Sequence, residues 1–142
     1  MTLLRFQRAS DSKHIGVLSW FSVHGTSLLG NNTHAAADNK GVAAWMLEEE
    51  MKNSGSAAPG FVAGFSQSSV GDTTPNVGGA YCDDGSGQQC SLENSTCADG
   101  KSQSCHGRGP FFEALDLGVK SCHEMGRRQY AGAKRIIVST SC

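Results

Sequence analysis

Residues 14–23, HIGVLSWFSV, decide how this chain folds. They are apolar, β-branched or aromatic over most of their length and halt at His24-Gly25-Thr26-Ser27, the pattern of a largely buried strand closed by a turn. Further on, Asp38 and Asn39 can cap a helix that runs to about Lys52 and stops at Asn53-Ser54-Gly55. Its spacing puts Val42, Trp45 and Met46 on one face and leaves Glu48, Glu49 and Glu50 in solvent. Pro59-Gly60 then reads as a turn, residues 61–69, FVAGFSQSS, as a second buried strand, and residues 71–76, GDTTPN, as its terminal loop. Strand, helix and strand in that order predict a βαβ-like unit in an α/β (mixed α+β) fold.

The remainder is of a different kind. Four of the six cysteines, Cys82, Cys90, Cys97 and Cys105, fall within 24 residues of a Gly, Ser and Asp-rich loop, residues 81–108, that has almost no apolar side chains. Such a segment cannot order itself by burial and needs staples. Intervals of seven, six and seven residues are not the paired spacing of a zinc ribbon, so disulfides are favoured over a cysteine zinc module, with three pairings open. Pro110 suits the first turn of a following helix on which Phe112, Leu115, Val119 and Cys122 recur at helical spacing, with Arg127 and Arg128 near its end. Cys122 is then expected as a buried thiol. Residues 135–140, RIIVST, read as a third strand or a frayed end, Cys142 has no assigned partner, and no internal repeat appears.

At 142 residues with 18 glycines, the chain has the size of one loop-rich unit or of a piece of something larger. Twelve basic and 13 acidic residues, unclustered, give none of the electrostatic footprint of a nucleic-acid binder. No stretch approaches the length of a membrane span, and residues 1–10 lack the apolar core of an export signal. The cysteines and two glycosylation sequons, Asn31-Asn32-Thr33 and Asn94-Ser95-Thr96, nevertheless point to an oxidising route. A secreted or lumenal parent protein whose signal lies upstream reconciles the two.

A lone histidine at a strand end is ordinarily a packed or turn histidine. If the two strands are parallel neighbours, however, His24 and GDTTPN leave the sheet at the same carboxyl edge, where open α/β sheets place their sites. That loop offers a carboxylate, two hydroxyls and a stiffening proline, which can orient a nucleophile or a carbonyl.

WFSVHGTSLLGNN, DNKGVAAWMLEEE, FVAGFSQSSVGDTTPN and the run from Cys82 to Cys105, in this order and spacing, resemble the neutral (alkaline-type) ceramidase family, fungal members especially. The resemblance covers nearly the whole chain and implies a partial N-terminal catalytic domain over residues 1–142. It also implies a parent enzyme that hydrolyses the N-acyl bond of ceramide to sphingosine and a fatty acid. One zinc ion serves the family, and His24 matches one of its ligands. The others, a histidine upstream and a glutamate and tyrosine downstream, lie outside this chain, and His14, His34, His106 and His123 match none of them. GDTTPN matches the family's GD-x-S-P-N, with Thr74 at the position of the essential serine. Threonine keeps the hydroxyl while adding a methyl group and stiffening χ1. Gly78 and Ala35 to Ala37 also depart from the family pattern. The matching cysteine positions imply the crossed pairing Cys82 with Cys97 and Cys90 with Cys105. Ceramide is the implied partner, reached at a membrane surface. The alternative function is a catalytically inactive truncated paralogue serving as a small disulfide-stapled secreted binding module.

Overall fold

The computed structural model describes residues 1–139. Strand β1 (Thr2–Gln7) runs antiparallel to β2 (His14–Trp20), and β2 is parallel to β3 (Ala57–Ser66), in the order β1-β2-β3. Helix α1 (Asp38–Asn53) joins the two parallel strands, so β2, α1 and β3 form the expected βαβ unit. After a two-stranded antiparallel sheet of β4 (Gly79–Cys82) and β5 (Cys105–Arg108) and a short 3-10 turn at Ala114–Asp116, helix α2 (Val119–Ser139) returns against α1. Val17, Leu47, Met51, Phe61, Ala63, Ala133 and Ile137 make the core between the sheet and the two helices.

Several expectations are corrected. β1 was not anticipated from residues 1–10, because only Leu3 of its side chains packs on the core while Leu4 and Phe6 stay exposed. β2 ends at Trp20 rather than Val23, so His24 lies four residues past the strand, on a connecting loop. Pro59-Gly60 is inside β3 rather than before it. There the ladder jumps from the His14–Ala57 pair to the Gly16–Val62 pair, and Gly60, at φ +81°, absorbs the extra residues. On α1 the buried stripe is Asn39, Ala43, Leu47 and Met51, and Trp45 is 56% exposed. Glu48 accepts the Ala63 N–H of β3 at 3.0 Å, and Glu50 pairs with Lys134 at 2.7 Å and the Tyr130 hydroxyl, so neither is simply solvated.

Pro110 does not begin a helix. Phe111 and Leu117 both take left-handed backbone, at φ 61° and 54°, which no helix can run through, and Leu115 is fully exposed. α2 starts instead at Val119, where the Asp116 carboxylate accepts the Gly118 and Lys120 N–H groups at 2.8 and 3.0 Å. Arg127 and Arg128 therefore fall mid-helix, and residues 135–139 continue α2, Ile137 being buried four residues after Ala133. Thr140 and Cys142 lie outside the described residues.

The two helices meet closely at Gly126. A Cβ there would stand 2.5 Å from Val42 Cβ and 2.8 Å from the Asn39 carbonyl oxygen. Gly to Ala in a helix ordinarily gains up to about 1 kcal/mol. Here the sign is expected to reverse: overpacking against Val42 should make Gly126→Ala destabilising by about 1–3 kcal/mol in urea denaturation. A stabilised variant would show that the helices are not in this contact.

A pH effect follows from His14, whose Nδ1 is buried without a hydrogen-bond partner. Burial, with Arg5 nearby, holds its pKa below the ordinary imidazole value. The unfolded chain then takes up the proton first, so this contribution is present at neutral pH and is lost as pH falls through about 6.5. The urea midpoint should fall between about pH 7.5 and 5.5, and less steeply in His14→Gln. Equal slopes in the two proteins would contradict the assignment.

Candidate active site

Parallel pairing of β2 and β3 brings the loops after Trp20 and Ser66 to one edge of the sheet. Segment 21–28, which carries His24, is held there by the first residues of α1. The Lys40 ammonium donates to the Phe21 carbonyl at 2.6 Å and to Gln129 Oε1 at 3.0 Å, and burial lowers its pKa. Asn39, wholly buried, donates from Nδ2 to the His24 carbonyl and to Ser27 Oγ, both at 2.9 Å, and accepts from Gln129 Nε2 at 2.8 Å.

Asp38 does not cap the helix with its side chain. It takes φ +47°, and its carboxylate turns back to accept the N–H groups of Ser27 and Leu28 at 3.0–3.1 Å. The run Asp38-Asn39-Lys40 both begins α1, as expected, and clamps the histidine loop, a second role that sequence reasoning did not reveal. From the other side, Gln67 after β3 holds the Val23 backbone, accepting its N–H and donating to its carbonyl.

His24 and the loop bearing Thr74 are in contact. The His24 N–H donates to the Thr73 carbonyl at 3.4 Å, and its ring Nε2 lies 3.0 Å from the Gly71 carbonyl. A carbonyl only accepts, so this ring nitrogen is the donor, and in the neutral imidazole Nδ1 is then the nitrogen that carries the lone pair. The imidazole is exposed, as is Thr74. Thr74 Oγ1 accepts the Asn76 N–H at 3.1 Å, which orients the oxygen and leaves its own proton to donate elsewhere. Pro75 beneath it is fully buried and fixes the turn.

Beside this loop stands the cystine-stapled hairpin, joined to it by the Gly78 N–H donating to the Arg108 carbonyl at 2.8 Å. Cys82 pairs with Cys97 and Cys90 with Cys105, with Cα separations of 5.8 and 6.0 Å. Within the hairpin, Asp83 receives His106 at 2.6 Å and Arg108 at 3.0 Å, so His106 is structural. The Cys122 thiol is buried and free, its pKa pushed up to about 12 by burial, with no character of a nucleophile.

A metal at this edge can be held from this chain only in part. Among the described residues, the sole cluster of three or more metal-donor side chains is Cys82, Cys90 and Cys97, whose sulfurs are already bonded. The free Nδ1 of His24 fits a single ligand position. No helix of the described residues is long and apolar enough to cross a membrane.

The oriented imidazole and the hydroxyl-bearing loop thus meet at the carboxyl edge of a parallel βαβ unit, the place where open α/β sheets bind their ligands. The chain belongs to the neutral/alkaline non-lysosomal ceramidase family, matching its N-terminal domain over residues 1–142. Neutral ceramidase B of Dictyostelium discoideum is 39% identical over 123 residues, covering 82% of this chain and 17% of that protein. The neutral ceramidase of Drosophila pseudoobscura pseudoobscura is 36% identical over 129 residues, covering 90% of this chain and 17% of the relative. The crystal structure of the Pseudomonas aeruginosa neutral ceramidase superposes with a TM-score of 0.59 at 26% identity, over 94% of this chain and 16% of that one. A ceramidase complexed with C2 superposes at 0.61 and 29% identity, over 94% of this chain and 15% of that one. The chain thus spans about a sixth of these proteins' length.

Proposed function

We propose that this chain supplies one wall of a zinc-dependent amidase site for ceramide, with His24 as a metal ligand through Nδ1 and Thr74 as the hydroxyl that meets the substrate. The bond from the His24 ring to Gly71, in the loop that carries Thr74, supports this reading most directly. Zinc, when bound, polarises an amide carbonyl and lowers the pKa of a coordinated water to about 7. The part of this chain is to hold the imidazole with Nε2 protonated against Gly71, and to present a hydroxyl proton from Thr74 toward the scissile amide. Asp38, Asn39 and Lys40 keep the His24 loop from moving. The remaining ligands come from outside residues 1–142, and with them ceramide, from a membrane surface, as substrate. A fungal-type, secreted or lumenal, glycosylated parent completes the proposal, with Asn31 and Asn94 exposed as acceptors.

Ligand counting sets the test, since catalytic zinc usually takes three protein ligands and this chain offers one. The isolated chain, with Thr74 or as Thr74→Ser, is expected to turn over no labelled ceramide and to bind zinc weakly. Chelator-sensitive turnover by isolated Thr74→Ser would show that the ligands are misassigned. The inactive binding-module reading is favoured by one observation, the threonine at the serine position. It predicts that Thr74→Ser remains without effect even when the rest of a catalytic domain is supplied.

A further inference from the structure

Asn76 closes the GDTTPN loop, and its backbone and side chain both span the site. Its N–H donates to Thr74 Oγ1 at 3.1 Å, and its side-chain Nδ2 donates to the Thr26 carbonyl, two residues past His24, at 3.1 Å. Its own carbonyl accepts the Gly79 N–H at 3.2 Å, at the start of β4. The remaining atom, Oδ1, is buried with no hydrogen-bond partner. Burying an amide oxygen unpaired is costly, so packing must hold the side chain in place. That packing comes from β5: a Cβ at Gly107 would lie 2.8 Å from Asn76 Nδ2 and 2.9 Å from Asn76 Cβ. Gly107 sits between His106 and Arg108, paired with Ala80 in the hairpin that the two cystines staple.

We propose that Asn76 is a positioning residue: wedged against Gly107, it fixes the Thr74 hydroxyl relative to the His24 loop, so that the cystine-stapled hairpin sets the geometry of the site. This rests on the reading of His24 and Thr74 as the working pair. Asn76 is not among the apolar side chains of the core formed by Val17, Leu47, Phe61 and Ile137. What depends on it is the register between segments 24–26 and 71–76, and with it the bond from His24 Nε2 to Gly71.

The test reads the His24 ring by nitrogen-15 NMR of the full 142-residue chain, without metal or substrate, so that failure of the ceramidase reading and failure of this one remain separate. In the unaltered chain the Nε2–H tautomer of His24 should dominate. Asn76→Ala removes wedge and bond, Asn76→Asp keeps the shape but cannot donate to Thr26, and Gly107→Ala displaces Asn76 while leaving its chemistry intact. All three should lower the His24 tautomer ratio by about tenfold, the equivalent of one net hydrogen bond, with the amide spectrum still dispersed. Gly30→Ala, at a position with nothing within 4 Å, should leave it unchanged. An unaltered His24 signature in Asn76→Asp and Gly107→Ala would overturn the proposal. So would a spectrum that collapses as a whole in all three variants, because Asn76 would then serve general stability rather than the site.

Discussion

Reducing both cystines of the purified chain is expected to unfold residues 79–108 while the βαβ unit stays folded. The cluster inside this segment consists of Cys82, Cys90 and Cys97 with Cys105 against them and no other apolar side chain. β4 and β5 make a two-stranded sheet of four residues each, which is marginal by itself in water. Each bridge spans 15 residues, so its removal should cost about 3 kcal/mol on the loop-entropy account. The other core cluster, between the three-stranded sheet and the two helices, contains no cystine. Hydrogen exchange with and without reductant should therefore show amides of 79–108 losing protection while β2, α1 and β3 keep theirs. A hairpin that stays protected after reduction would mean that it is ordered by something other than its staples.

Asn39→Ala should be the most damaging single substitution on α1, at about 3–5 kcal/mol, because several buried partners lose their bonds together. The His24 carbonyl and Ser27 Oγ lose a donor, and Gln129 Nε2 keeps only a long bond of 3.3 Å to Met125. Asn39→Asp should be nearly as harmful, since it places a buried carboxylate beside Asp38, whose Oδ1 now accepts from Asn39 Nδ2 at 2.8 Å. Urea midpoints of the two variants check this. A loss below about 1 kcal/mol in both would place Asn39 among ordinary helix-surface residues.

The βαβ unit was legible because its signals are local: an apolar run at residues 14–20, a helix with stop residues at 53–55, and a second apolar run. Parallel pairing then put His24 beside GDTTPN without further information. What the residues concealed was set by tertiary contact. Asp38-Asn39-Lys40 resembles a helix cap locally, and only the fold brings Ser27, His24 and Phe21 within reach of those side chains. The buried stripe of α1 runs through Asn39, Ala43, Leu47 and Met51 rather than Trp45, and the close approach of Gly126 of α2 to Val42 and Asn39 is a contact that helical spacing in α1 alone does not reveal. The false helix start at Pro110 failed on left-handed backbone at Phe111 and Leu117, which neither residue type advertises. Cystine pairing was open from the spacing and came from the family resemblance alone, and the structure has that pairing.

The most direct test of the account grafts residues 1–142 in place of the matching segment of a full-length neutral ceramidase, so that the outside ligands are present, and follows hydrolysis of a labelled ceramide alongside bound zinc. The graft with Thr74→Ser is expected to hydrolyse ceramide on the order of a hundredfold faster than the graft with Thr74, because the added methyl displaces the reacting groups. His24→Ala in the Thr74→Ser graft should lose both the zinc and the turnover. Full activity and full zinc content in the His24→Ala graft would contradict the assignment of this edge as the active site.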